Sequence, residues 1–151
     1  MMDREIINFI QKAKKATFAS KMARPVKTED NGLEYIYKEK PFLYKDKYFG
    51  HFVDVGQEIV WYRGNPIWAM SYRGGMLSHR YLSKKCFSFL KRCLKKLPKD
   101  FPIRGPESYK EGDFRYENTW KGDIESFFGE EKIFWKGKQI YFRNYLGGVI
   151  K

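Results

Sequence analysis

Gly56–Leu77 reads GQEIVWYRGNPIWAMSYRGGML, and Gly129–Ile150 reads GEEKIFWKGKQIYFRNYLGGVI. The two stretches align without a gap. Gly56, Glu58, Gly64, Ile67, Tyr72, Gly74 and Gly75 fall on Gly129, Glu131, Gly137, Ile140, Tyr145, Gly147 and Gly148. Character matches at Trp61/Phe134, Tyr62/Trp135, Arg63/Lys136 and Trp68/Tyr141. Each stretch is an alternating run, a glycine-containing turn and a second alternating run, the pattern of a β-hairpin. The turn of the first is expected at Arg63-Gly64-Asn65-Pro66.

Upstream the correspondence continues. Tyr37-Lys38-Glu39 matches Tyr109-Lys110-Glu111, and Phe42, Tyr44, Tyr48 and Gly50 match Phe114, Tyr116, Trp120 and Gly122. Pro41 marks an edge or a break between strands. A helix capped by Asp3 and running to about Ala19 is predicted from Ile6, Phe9, Ile10, Ala13 and Thr17 on one face. A second, from Ser83 to before Pro98, carries Cys86, Phe89, Leu90, Cys93, Leu94 and Leu97 as an apolar stripe. Phe9–Ala13 matches Phe89–Cys93 loosely. The reading is a single α+β domain over 1–151, a tandem duplication of a helix plus about three antiparallel strands. Its halves are approximately 3–77 and 82–150, pseudo-twofold, with the helices packed on a shared sheet.

Composition supports sheet. Aromatic residues make up 19% of the 151 residues, and such side chains suit a pleated, half-buried surface. A chain of this length buries roughly two-thirds of its unfolded surface in one domain. No run approaches the ~20 apolar residues of a membrane span, and Met1-Met2-Asp3-Arg4-Glu5 does not open a secretory signal. Cys86 and Cys93 are about 10.5 Å apart along a helix, too far to bridge, so they read as reduced core residues of a cytoplasmic protein. No membrane partner is expected, and the sequence does not set the oligomeric state.

Strand alternation places Glu58, Val60 and Tyr62 on one face and Ile59, Trp61 and Arg63 on the other. Glu131, Ile133 and Trp135 take the equivalent positions in the second copy. Two readings follow. The glutamates form a carboxylate pair in an aromatic cleft, fit to hold a cation or to act in acid–base work. The plainer reading has each pointing to water beside Lys38 or Lys110. Arg24 and Arg104 follow the two helices, and either clamp an anion or salt-bridge a neighbouring carboxylate. Arg104 is the stronger candidate, because Gly105-Pro106 makes a defined turn. Gly74-Gly75 and Gly147-Gly148 lack the Lys-Ser/Thr of a phosphate loop and read as bulges or bends. His51 and His79 are the only histidines, and no spacing resembles a metal site. No catalytic residue, metal or cofactor is assigned.

The net charge of +12 is concentrated in the second helix, at Lys84, Lys85, Lys91, Arg92, Lys95 and Lys96. This face either tracks a phosphate backbone or is simply solvated.

Trp61-Tyr62-Arg63-Gly64-Asn65-Pro66-Ile67-Trp68, Tyr72, the Arg104-Gly105-Pro106…Tyr109 segment and the closing Gly147-Gly148 resemble an uncharacterised bacterial family, the domain of unknown function 5680. The resemblance runs from the first helix to Gly148. It implies a small bacterial cytoplasmic domain, joined in some relatives to a helix-turn-helix DNA-binding domain. It carries no established reaction, and relatives do not share the lysine-rich helix. No second domain is expected within these 151 residues.

The functional expectation is a non-catalytic small-ligand-binding or sensory module with a cleft between the repeats. Glu58, Glu131, Arg104, Trp61, Tyr62, Trp68 and Trp135 are its candidate lining. The alternative is a nucleic-acid-binding accessory protein using the basic second helix.

Overall fold

Residues 4–151 are described in the computed structural model. Turn chemistry sets the strand pairing. Arg63 and Gly64 sit at φ 49° and 85°, and Lys136 and Gly137 at 49° and 80°. Two consecutive left-handed residues make the tight two-residue connection whose twist matches that of the flanking strands. The first turn is therefore Arg63-Gly64 alone, and Asn65-Pro66 already belongs to the next strand.

The strands are β1 (Val26–Lys27), β2 (Leu33–Glu39), β3 (Phe42–Gly50), β4 (Val53–Tyr62), β5 (Asn65–Met76), β6 (Ser108–Glu111), β7 (Phe114–Asp123), β8 (Ser126–Trp135) and β9 (Lys138–Val149). They form one antiparallel sheet in the order β1-β2-β3-β4-β5-β9-β8-β7-β6. The chain runs inward from one edge, and its last strand closes against β5 at the centre. Pro41 lies in the tight β2–β3 turn, where it interrupts no ladder. Gly75 and Gly148, at φ 145° and 148°, lie within β5 and β9. A Cβ on Gly75 would overlap the Phe52 carbonyl oxygen, and one on Gly148 that of Glu125.

Helix α1 spans Arg4–Ala16 and α2 spans Ser83–Leu94, the latter preceded by a 3-10 turn at Arg80–Leu82. The proposed Asp3 cap lies outside the described residues. The expected α+β architecture is corrected. About half the chain is strand and a fifth helix, and the halves contribute five and four strands instead of about three. Extended residues on either side of Pro41 and of Gly112 pair as separate strands, so the break read at Pro41 is a hairpin turn and raises the strand count. Nor do the helices form a layer over a shared sheet. Phe9 of α1 stacks on Phe42 and tilts against Tyr37, whereas Phe89 of α2 stacks on Tyr109 and Phe114. Each helix packs on its own half of the sheet, α1 reaching Glu58 of β4 through Lys14 and α2 meeting Tyr141 of β9 through Phe87.

Between them the sheet is covered by 101–105, a loop buried at every residue. Phe101 stacks on Trp120 and meets Phe127 and Tyr145. The core has two parts. One gathers Ile10, Ala13, Tyr44, Val60, Trp68, Met70 and Phe101, and the other Cys86, Leu90, Cys93, Tyr116, Ile133, Ile140 and Tyr141. Both cysteines are free and buried. No helix among the described residues is long and apolar enough to cross a membrane.

Candidate functional site

At the centre of the sheet, Gly56, Tyr72, Tyr145 and Gly129 stand side by side across β4, β5, β9 and β8. Each tyrosine hydroxyl passes over the neighbouring glycine. A Cβ on Gly56 would stand 2.5 Å from the Tyr72 hydroxyl oxygen, and one on Gly129 would collide with that of Tyr145. The missing side chains let both hydroxyls reach polar partners one strand further out. Tyr72 donates to Asp46 Oδ1 at 2.5 Å, and Tyr145 donates to Asn118 Oδ1 at 2.6 Å.

Glu58 and Glu131 lie on this covered face, 4% and 0% exposed. Of the two readings, the one in which they point to water is corrected by this burial. Alternation gave the face, but the groups that cover it come from remote segments. Lys14 Nζ of α1 lies 2.6 Å from Glu58 Oε2. That oxygen has no aligned hydrogen bond, so the contact is an ion pair without good donor geometry. Arg104 of the buried loop hydrogen-bonds Glu131, which also accepts from the Tyr116 hydroxyl at 2.7 Å. Asn118 Nδ2 donates to the Gly105 carbonyl at 2.9 Å. Arg143 bonds both oxygens of Asp54, at 2.7 and 2.9 Å, and the Tyr141 hydroxyl at 2.7 Å.

Asp46, Asp54, Glu58, Tyr72, Arg104 and Arg143 line a cavity of about 40 Å³, with Phe18 and Tyr48. That volume suits a water molecule or so and no organic ligand. Three cations (Lys14, Arg104 and Arg143) face four carboxyls (Asp46, Asp54, Glu58 and Glu131), so one carboxyl lacks a counter-charge. It is Asp46. Burial, reinforced by the charge of Glu58, pushes its carboxyl up to about 7 against the Tyr72 hydrogen bond. Burial lowers the Lys14 ammonium, and the nearby Glu58 opposes that shift. No cluster of three or more metal-ligating side chains occurs among the described residues.

The opposite face of the sheet is open. A groove of about 1240 Å³ is lined from Glu34 on β2 to Thr119 and Lys121 on β7. Seven neighbouring strands wall one space, so the sheet is curled around it. The ladder register shifts at Val60/Trp61 and Ile133/Phe134, and such irregularities bend strands. Apolar side chains stand unburied here: Val55 at 52%, Phe128 at 58% and Leu146 at 62% exposure, alongside Ile59 and Trp61.

The candidate lining is thus divided among three places. Glu58 and Arg104 share the small cavity, and Glu131 lies behind Arg104. Trp61 lines the groove. Trp68 is wholly buried, and its indole N–H donates to the Ile124 carbonyl at 3.0 Å. Tyr62 packs on Phe42 and Trp135 on His79, both at the hairpin ends. Lys84 and Lys85 on α2, and Lys95 just past its end, are exposed. Lys91 and Lys96 lie over the rings of Phe18 and Tyr109, and Arg92 pairs with Glu111 at 2.8 Å. Sequence reasoning missed Val55, Arg73, Lys121, Phe128 and Leu146. Their signal was apolar residues on the strand face that also carries lysines.

These features define a predominantly β domain whose sheet is braced by buried ion pairs on one face and grooved on the other. Residues 46–150 match the family model described as domain of unknown function (DUF5680), and the chain belongs to that family. No curated protein and no solved structure matches it.

Proposed function

We propose that the protein is a small-ligand-binding module, and that its ligand occupies the open-face groove rather than the cleft between Glu58 and Glu131. The observation that carries this reading is the groove itself, about 1240 Å³, walled by seven strands and floored by exposed Val55, Phe128 and Leu146. Ligand sites are concave, largely apolar and of several hundred Å³. Exposed apolar surface gathered in a concavity marks an interaction site. The opposite face fits the role of frame, since its charged groups are buried and engaged with one another. Gly56/Gly129, Glu58/Glu131 and Tyr72/Tyr145, placed alike about the β5–β9 pair, support an origin by internal duplication.

Nile red, an uncharged dye, tests the reading. Saturable binding to the wild-type chain, lost in Leu146→Asp with thermal unfolding unchanged, is the expected result. Binding indifferent to Leu146→Asp removes the groove from the account. The nucleic-acid alternative retains Lys84, Lys85 and Lys95, for which no ion-pair partner appears among the described residues. A DNA duplex bound with steep salt dependence, and weakened by Lys84→Glu, would favour it.

A further inference from the structure

We propose that the groove's ligand is an amphipathic anion, an apolar body carrying one negative group, with Arg73 as its principal counter-charge. This rests on the groove reading and deepens it. Most charges that line the groove are already matched. Glu34 lies 3.7 Å from Lys45, Lys47 2.5 Å from Asp30, and Glu130 3.1 Å from Lys132. Arg73 and Lys121 line it with no carboxylate partner among the described residues.

Arg73 occupies the middle of the sheet, opposite Val55 on one side and Asn144 on the other. Its guanidinium lies 5.6 Å from the Phe142 ring centroid, and with no hydrogen-bond acceptor for it among the described residues its fork of donors suits a carboxylate or sulfonate. Lys121 stands opposite Phe128 on β8, a second cation beside apolar surface.

Charge sorts the ligand classes. A cationic ligand finds both groove carboxylates, Glu34 and Glu130, engaged with lysines. A neutral apolar ligand covers Arg73 and leaves a desolvated cation without a partner, which is unfavourable. An anion with an apolar body satisfies both the guanidinium and the surface around it. Water is excluded along that surface, so the attraction is stronger than in bulk solvent.

Displacement of Nile red by decanoate, decanol and decylammonium, each below its micellar concentration, tests the charge assignment. Decanoate is expected to bind about tenfold more tightly than either analogue, the scale of one charge-assisted hydrogen-bonded contact. Arg73→Gln should remove that advantage while leaving decanol unchanged, and Arg73→Glu should shift preference toward decylammonium. Decanol or decylammonium equal to decanoate, or decanoate indifferent to Arg73→Gln, overturns the anion assignment while Leu146-dependent Nile red binding preserves the groove. Loss of the Leu146 dependence overturns both. A micromolar dimer that blocks the dye also overturns both, because a second copy would then be the occupant.

Discussion

The two sides of the sheet hold the same tyrosine with different chemistry. Tyr72 donates to an acid, Asp46, and Tyr145 to an amide, Asn118, in nearly the same geometry at 2.5 and 2.6 Å. Glu58 meets a helix lysine, Lys14, whereas Glu131 meets a loop arginine, Arg104, and the Tyr116 hydroxyl. On the second side Asn118 adds a donor to the Gly105 carbonyl. The first side instead has the small cavity, an oxygen of Glu58 without an aligned hydrogen bond, and a carboxyl that titrates near neutrality. One framework thus has a version with an amide and a well-bonded ion pair, and a version with an acid and a poorly aligned one. The comparison separates what shapes the sheet from what responds to pH.

Removing Arg104 should separate the sides most. Arg104→Met leaves Glu131 buried with Tyr116 alone, and loss of one partner from a buried pair destabilises by about 3–5 kcal/mol. Lys14→Met should lower stability by less, about 2 kcal/mol, since its ion pair with Glu58 is poorly aligned. Urea unfolding of the two variants measures the gap. Equal losses would show the sides to be equivalent.

Asn118→Asp gives the second side the chemistry of the first. It sets a carboxyl on the strand position opposite Glu131 and removes the donor to Gly105, for an expected loss of about 2–4 kcal/mol at pH 8. The loss should shrink at pH 5 as the new carboxyl protonates, and a pH-independent loss would show that only the hydrogen bond mattered.

Asp46→Asn makes the reverse exchange. The Asp46 carboxyl is raised in the folded chain from its ordinary 3.8 to about 7, so the native state binds its proton more tightly than the unfolded state. The resulting stabilisation is full below about pH 4 and is lost as pH rises through about 7. The wild-type chain should therefore lose on the order of 4 kcal/mol from this group between pH 4 and 8. Asp46→Asn should flatten that part of the profile, and an unchanged slope would assign the proton to another carboxyl.

The smallest effect is expected on the open face. Leu146→Asp, at a position 62% exposed, should change stability by less than about 0.5 kcal/mol. A larger loss in urea unfolding would mean that Leu146 packs against something in solution.

The hairpins were legible because Gly64 and Gly137 announce their turns and alternation assigns each strand its faces. Glu58 and Val60 do share a face, opposite Ile59 and Trp61. What alternation cannot tell is which segment covers a face. Lys14 and Arg104 reach the glutamates from a helix and a loop far away in the chain, so carboxylates assigned to water are buried. The loop at 101–105 has no period to betray its burial, although Arg104-Gly105-Pro106 read as a defined turn. Counting aromatics suggested one cleft, yet Trp68 fills the core, Trp61 lines the groove, and Tyr62 and Trp135 pack at hairpin ends. The groove arises from curling of the whole sheet, a property of seven strands together that no single stretch encodes.

Amide chemical-shift mapping with decanoate tests the central claim most directly. The account predicts saturable shifts at alternate residues of β3, β4, β5, β9 and β8, centred on Val55, Arg73 and Leu146. Shifts confined to α2 or to the Asp46–Glu58 cavity, or no saturable change at all, would contradict it.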